Sequence, residues 1–143
     1  MNPTYVPFVL LGLVAVSTLV GLIWRSQQGR VSHARRRRLV QIGDVPGMRS
    51  FARGATLLQF STEVCAPCAV TRTVLKGVAS EHQNVAHVEL DVTHRPDLAN
   101  RFHIMQTPTT LILDRQGVIR ARIGGAPRRD SIRAELDRII VTS

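Results

Sequence analysis

Two cysteines, Cys65 and Cys68, combine a reactive residue type with a spacing that favours redox chemistry. They form the sequence Cys-Ala-Pro-Cys, directly after a predicted strand and at the start of a predicted long helix. A thiol at a helix N-terminus loses its proton readily, because the peptide dipoles and the free backbone N–H groups stabilise the thiolate. Cys65 is therefore the candidate nucleophile, and Cys68, one turn later, is placed to resolve a mixed disulfide by attacking Cys65. Pro67 suits the first helical turn, where a missing N–H costs nothing.

Three unreactive roles for this pair stay open at this point. A structural disulfide is one, although closing so short a loop gives little entropic stabilisation. Half of a zinc site is another, but zinc normally takes four ligands, and the sequence has no second Cys-x-x-Cys and no His-x-x-x-His pair. The third is a pair of inert buried cysteines, for which a proline at a strand-to-helix junction has no purpose. The sequence favours a redox-active cysteine pair with no metal and no further cofactor.

Strands and helices are predicted to alternate from residue 55 onwards, which indicates an α/β fold. The predicted strands are residues 56–61, 86–91, 109–114 and 118–123, and the predicted helices are residues 66–82, 96–102 and 131–140. Residues 115–117 fit a hairpin loop in which Gly117 is left-handed, so the last two strands should pair antiparallel. The earlier strands are joined through helices and are expected to be parallel. Residues 40–42 are assigned to an edge strand and residues 48–52 to a turn of helix. The expected architecture is a small mixed sheet flanked by helices.

An uncharged run of 20 residues, 5–24, precedes this domain. As a helix it would span about 30 Å, the thickness of the hydrocarbon core of a bilayer. Tyr5 and Trp24 close its ends with rings that favour the headgroup region. A cleaved signal peptide is the alternative, but residues 1–4 carry no positive charge and no clear cleavage site follows. We predict an N-terminal transmembrane anchor over residues 1–24.

Most of the positive charge of the chain lies directly after the predicted anchor. Residues 25–38 hold six arginines and no acid, so they leave only +3 of the net charge of +9 for the rest of the chain. Lipid phosphate accounts for this cluster, and membrane lipid is the expected partner of residues 5–38. Nucleic acid is not expected, because interleaved aromatic residues are lacking. By the positive-inside rule, the C-terminal domain is predicted to be cytoplasmic. Residues 25–38 are then a flexible basic tether, and residues 39–143 are the folded domain.

Residues 39–143 resemble the thioredoxin superfamily. The features that carry the resemblance are Cys-Ala-Pro-Cys at the strand-to-helix junction, Thr107 and Pro108 in Gln-Thr-Pro-Thr-Thr-Leu-Ile-Leu, the hairpin, and Gly124. The resemblance implies a thioredoxin-like fold in which Pro108 is cis and faces the cysteines, and in which Thr107 pairs with the substrate backbone. It implies that Gly124 allows a close backbone approach. It also implies a thiol–disulfide oxidoreductase that reduces protein disulfides and takes electrons from a separate donor, such as a thioredoxin reductase.

The sequence departs from the usual pattern of that superfamily around the cysteines. Val64 stands where a tryptophan is usual, and Ser61 where many members have an aromatic residue. Gln59 replaces a buried aspartate that helps to move the proton of the second cysteine, and His87 replaces its lysine partner. Glu63 or a water is a possible substitute for that acid. The departures at Gln59 and Val64 favour one alternative, a binding module without catalysis. A second alternative concerns topology: the resemblance to anchored members of the family also implies a domain outside the cytoplasm that exchanges disulfides with exported proteins or apocytochromes.

Overall fold

The structure is a computed structural model that describes residues 5–27, 29–33 and 39–142. The apolar run forms the long helix α1, Val6–Gln27, which extends a little beyond the predicted span. No residue of α1 is buried, and the helix is long and apolar enough to cross a membrane. Four of the six arginines, at positions 35–38, lie outside the described residues. The folded domain therefore makes its core without α1.

Within the described residues, five strands form one mixed sheet in the order β1-β5-β4-β2-β3. The strands are β1 (Val31–His33), β2 (Ala55–Ser61), β3 (Val85–Asp91), β4 (Thr109–Asp114) and β5 (Ile119–Gly124). The helices are α2 (Ala66–Ser80), α3 (Pro96–Arg101) and α4 (Arg129–Thr142). The four predicted strands and three predicted helices are confirmed, with shifts of one or two residues at their ends.

The direction of β4 differs from the expectation. β2 and β3 are parallel as predicted, but β4 runs antiparallel to β2, so the expectation that all helix-linked strands are parallel was wrong. The helix α3 has six residues and spans about 9 Å, whereas β3 has seven residues and spans about 23 Å. So short a helix does not by itself span the length of a strand. The chain turns after α3 at His103, whose φ is 51°, and β4 starts at the same edge where β3 ended.

The predicted hairpin between β4 and β5 is confirmed. Gly117 has a φ of 82°, and its N–H donates to the carbonyl oxygen of Asp114 at 3.0 Å. An L side chain rarely adopts this φ, and an added Cβ at Gly117 would lie 2.6 Å from the ring of Phe51. Glycine is therefore required here both for the turn and for the close packing of the segment before β2.

The N-terminal part of the domain differs from the sequence-based assignment. Strand β1 falls within the predicted tether, where Val31 pairs with Ile123 of β5. Residues 40–42 do not form the predicted edge strand, because Val40 turns into the core and a 3-10 helix, Ile42–Asp44, follows at once. Residues 48–52 form no helix turn; this loop instead packs Phe51 against the core.

The core consists of two apolar layers, one on each face of the sheet. One layer lies between the sheet and helices α2 and α4, and it includes Leu57, Leu75, Ile112, Ile123 and Leu136. The other layer lies between the sheet and α3 with the loop before β2, and it includes Val40, Leu58, Phe60, Phe102 and Leu111. Both layers follow the alternation of side chains along the strands.

Candidate functional site

The two cysteines lie at the N-terminus of α2 and are joined by a disulfide. Their Cα atoms are 5.3 Å apart, and the backbone N–H of Cys68 donates to the carbonyl oxygen of Cys65 at 3.1 Å. Pro67 occupies the first turn of the helix, as predicted. Cys65 is partly exposed, whereas Cys68 is only 2% exposed. Of the two cysteines, Cys65 is therefore the one that solvent and a partner can reach.

The loop before β4 lies beside the loop that leads to the cysteines. The Thr107–Pro108 peptide bond is cis. The hydroxyls of Thr62 and Thr107 are 3.2 Å apart, within hydrogen-bond distance. The hydroxyl of Thr109 donates to the carbonyl oxygen of Gln106 at 2.7 Å and so fixes the start of the strand. Thr62, three positions before Cys65, is thus in direct contact with Thr107, the residue that precedes Pro108.

Gly124 lies at the same edge of the sheet, at the end of β5. It pairs with Thr109 in the sheet, and the N–H of Gly125 donates to the carbonyl oxygen of Pro108 at 2.8 Å. A Cβ added to Gly124 would collide with the side-chain nitrogen of Gln106. A larger residue at position 124 would therefore displace the flexible side chain of Gln106 from this edge.

A chain of hydrogen bonds connects the buried cysteine to the sheet. The Gln59 side chain is fully buried, and its Nε2 donates to the carbonyl oxygen of Cys68 at 3.0 Å. A carbonyl oxygen only accepts, so this contact fixes the orientation of the amide and turns Oε1 towards His87. His87 Nε2 lies 3.0 Å from that oxygen and must therefore carry the proton that it donates. The pair that the sequence singled out is thus a hydrogen-bonded link between β3, β2 and α2.

The electrostatic environment of His87 favours its neutral form. Burial lowers the pKa of His87 below its ordinary value; Glu89 opposes this shift, while Lys76 and Arg72 reinforce it. Arg72 and Glu89 form a two-pronged ion pair with N···O distances of 2.5 and 2.7 Å. The hydrogen bond from Arg72 holds the pKa of Glu89 below its usual range. Glu63, a possible proton carrier, is exposed in the loop.

Several residues of the site were not singled out from the sequence. Thr62 and Gln106 contact the predicted loop residues, and the pairing of Phe60 with Thr109 is the feature that brings them together. Two buried hydroxyls, those of Thr71 and Thr110, have no hydrogen-bond partner in the part of the chain that the structure describes. Thr110 lies directly opposite Gln59 in the sheet. A sequence reading that lacks the strand order has no means to find these contacts.

Residues 5–27, 29–33 and 39–142 contain no group of three or more His, Cys, Asp or Glu side chains arranged to hold a metal ion. The polar side chains around the cysteines are amides, hydroxyls, one imidazole and the exposed carboxylate of Glu63. The groups of this arrangement that can exchange electrons are the two sulfur atoms.

Comparison with known proteins identifies the family. A sequence model of the thioredoxin family matches residues 49–138, which include the cysteine pair, the loop before β4 and Gly124. The chain belongs to the thioredoxin family. Members of this family are thiol–disulfide oxidoreductases, and the chain is a redox protein of the family with a disulfide-capable pair at Cys65 and Cys68.

Relatives and a solved structure agree with this family. The chain is 32% identical over 83 residues to a thioredoxin of Chlamydia trachomatis, a match that covers 58% of this chain and 80% of that protein. It is 33% identical over 85 residues to a bifunctional thioredoxin reductase/thioredoxin of Mycobacterium leprae, covering 59% of this chain and 18% of that protein. The crystal structure of chloroplastic thioredoxin z is similar with a TM-score of 0.55 and 28% identity, covering 61% of this chain and 79% of that one.

Proposed function

We propose that the protein is a membrane-anchored thiol–disulfide oxidoreductase that reduces disulfides of other proteins. The observation that carries this proposal is the cysteine pair at the N-terminus of α2, with Cys65 partly exposed and Cys68 buried. This arrangement presents one sulfur to a partner and keeps the second one turn behind it. The helix N-terminus stabilises the thiolate that attack requires.

The reaction consists of two exchanges. The Cys65 thiolate attacks one sulfur of a substrate disulfide, which forms a mixed disulfide and releases the first substrate thiolate. The Cys68 thiolate then attacks the Cys65 sulfur, which releases the second substrate thiolate and forms the Cys65–Cys68 bond. The substrate gains two electrons, and its two thiolates take protons from solvent. The Cys65–Cys68 disulfide described above is the oxidised product of these two exchanges.

Thr107, Pro108 and Gly124 are proposed to bind the substrate chain beside Cys65. Thr107 is half-buried next to the cysteine loop through its contact with Thr62. Because Thr107 is only half-buried and Gly124 has no side chain of its own, an extended segment can approach the backbone of residue 107. In the thioredoxin family, this position pairs with the substrate backbone.

The electron donor is proposed to be a separate thioredoxin reductase. The M. leprae relative joins a thioredoxin reductase and a thioredoxin in one chain, by its name. The donor must return two electrons to the Cys65–Cys68 disulfide after each turnover. This direction suits a cytoplasmic domain, because the cytosol keeps dithiols reduced.

The membrane anchor is proposed to be α1, with the domain on the cytoplasmic side. Support comes from the length and apolar character of α1 and from the arginines that follow it. Labelling intact cells with a thiol reagent that cannot cross membranes tests the side. We expect Cys65 to react only after lysis. Reaction without lysis would instead support the alternative, exchange on exported proteins or apocytochromes.

Insulin reduction by the full chain in detergent, with dithiothreitol as the electron source, tests the chemistry. Cys65→Ser should abolish turnover, because no nucleophile remains. Cys68→Ser should accumulate mixed disulfides through Cys65, because nothing resolves them. If Cys65→Ser retains full activity, or if the reduced wild type does not react with small disulfides at neutral pH, the protein is a binding module and the proposal is wrong.

A further inference from the structure

The end of the membrane helix and the redox site are connected by very little chain. α1 ends at Gln27, and the backbone N–H of Gly29 already donates to the carbonyl oxygen of Gly124 at 2.8 Å. From Gly29 the chain enters β1, which pairs antiparallel with β5 over Val31 and His33. The domain thus begins at the second residue after the helix.

Gly29 is packed too closely to be part of a flexible tether. It is buried with a φ of 75°, and an added Cβ would lie 2.7 Å from the backbone oxygen of Ala126. Such an approach is available only to glycine. The chain is therefore held against residues 124–126, the segment that contacts Pro108 through Gly125.

These connections set an upper limit on the distance between the site and the bilayer. Trp24 marks the level of the interface, and the helix rises about 5 Å from there to Gln27. Two further residues reach at most about 7 Å, so Gly29 lies within about 12 Å of the level of Trp24. The headgroup layer is itself about 5–8 Å deep. Gly29 is thus at or just above the lipid headgroups.

The groups proposed to act on disulfides share the edge of the sheet that Gly29 occupies. Gly124 ends β5, Thr109 begins β4 opposite it, and Phe60 near the end of β2 pairs with Thr109. Neighbouring strands are about 4.8 Å apart, and β2 is the third strand from β1, so the end of β2, from which the cysteine loop leaves, lies about 14 Å from Gly29 along this edge. β1 runs from Gly29 along β5 towards the opposite edge.

The side chains exposed at this edge suit a membrane surface. Val64, directly before Cys65, is 98% exposed, and Met105 in the loop before Pro108 is 93% exposed. Arg30 and Arg128 line a cleft beside Gly29, between the end of α1 and the start of α4. The apolar tips beside Cys65 and the guanidinium groups beside Gly29 match the mixture of acyl chains and phosphates at an interface, and the exposed carboxylate of Glu63 next to Val64 opposes that match.

We propose that the redox site faces the bilayer at short range and takes as its substrates disulfides of integral membrane proteins that lie at the interface. The inference rests on the proposed function and on α1 as the anchor. The exchange is the one written above, with the interfacial disulfide as the electron acceptor. Because Gly29 docks on residue 124, the anchor positions the active-site edge rather than merely retaining the domain near the membrane.

The distance is testable by energy transfer to an acceptor lipid in phosphatidylcholine vesicles. A donor dye is placed through Met105→Cys at the site edge or, as the matched control, through Arg115→Cys in the hairpin at the opposite edge, in a full chain with Cys65→Ser and Cys68→Ser. The six residues of β4 separate the two edges by about 17 Å. We expect clearly stronger transfer from position 105. Equal or stronger transfer from position 115 would overturn the proposal.

The substrate preference is testable with two synthetic peptides that carry the same disulfide. In one peptide the disulfide directly follows a membrane span, and the other peptide is soluble. Twelve Gly/Ser residues inserted after Gln27 leave the domain intact and add an r.m.s. reach of about 20 Å. We expect the rate of reduction of the membrane peptide to fall at least about threefold, because the maximum distance between the domain and the membrane grows from about 12 to about 30 Å and the domain is no longer oriented by the anchor. The rate of reduction of the soluble peptide should stay the same.

These outcomes separate the inference from the function beneath it. If the insertion leaves both rates unchanged, the site does not work from a defined position at the bilayer, and the inference is wrong while the oxidoreductase stands. If the wild type reduces neither peptide, the proposed chemistry is wrong. If the wild type does not float with vesicles, the anchor is wrong, and the inference falls with it.

Discussion

Replacing Gln59 with glutamate should reverse the response of stability to pH. Glutamate has nearly the same shape as glutamine, but the atom that replaces Nε2 is an oxygen 3.0 Å from the carbonyl oxygen of Cys68. When protonated, the acid can donate to that carbonyl and accept from His87, just as the amide does. When ionised, it presents a charge to an acceptor in a fully buried position. The folded state therefore favours the protonated acid.

The size of the effect follows from the burial of this position. Full burial raises the pKa of a carboxyl by about three units, and each unit corresponds to about 1.4 kcal/mol. A raised pKa in the folded state leaves stability intact below the unfolded pKa of about 4.3 and removes it as the pH rises. We expect the Gln59→Glu variant to match the wild type near pH 4 and to be less stable by about 4 kcal/mol at pH 8.

Urea unfolding between pH 4 and 8 measures this difference. A fragment that begins at Gly29 is suitable, because α1 contributes no buried residue to the domain. The control is Gln116→Glu, which places the same charge at an exposed position of the hairpin and should show no comparable slope. A Gln59→Glu difference that stays constant from pH 4 to 8 would refute the argument, because it would mean that the carboxyl ionises freely in the folded state.

Three further predictions concern the same domain, each measured by urea unfolding. Burial lowers the pKa of His87 below 6.5 in the folded state, so the unfolded chain binds the proton first, and the wild type should lose stability as the pH falls below 6.5. His87→Gln should make the stability depend less on pH in this range, and an unchanged pH dependence would contradict the prediction. Leu75→Ala should lower the free energy of unfolding by about 2–5 kcal/mol, because it leaves a cavity under α2. A decrease below about 1 kcal/mol would contradict this, because it would mean that neighbouring side chains fill the cavity. Asp114→Ala should lower the free energy of unfolding by about 3–5 kcal/mol, because two hairpin N–H groups and an arginine lose a buried acceptor. The control Asp130→Ala, at an exposed position, should lower it by under about 0.5 kcal/mol, and equal decreases for the two variants would refute this.

The reactive pair and the local elements around it were predictable from the chain because they depend on neighbouring residues. Pro67 between the cysteines indicated the first turn of α2, and the turn chemistry of Gly117 indicated the hairpin. The apolar periodicity of α2 and α4 was readable for the same reason. Each of these features is stabilised within a few residues of sequence.

The site itself needed a structure, because its contacts join distant segments. The hydroxyls of Thr62 and Thr107 are 45 positions apart in the chain, and His87 meets Gln59 across 28 positions. The sequence marked Gln59 and His87 as unusual but left open that they hydrogen-bond to each other and to the backbone of α2. Strand order and register decide such contacts, and neither is written in a local pattern.

Residue types, periodicity and turn chemistry thus specified a redox pair at a helix N-terminus, a membrane-length apolar helix and the strands of the sheet. The direction of β4 and the docking of Gly29 onto residue 124 were decided by the packed fold. The chain turns after the six-residue α3 and does not return along the sheet, and a glycine after the membrane helix packs where no Cβ fits. Both outcomes depend on how elements of fixed length and shape pack together, so they arise only when the whole chain is assembled.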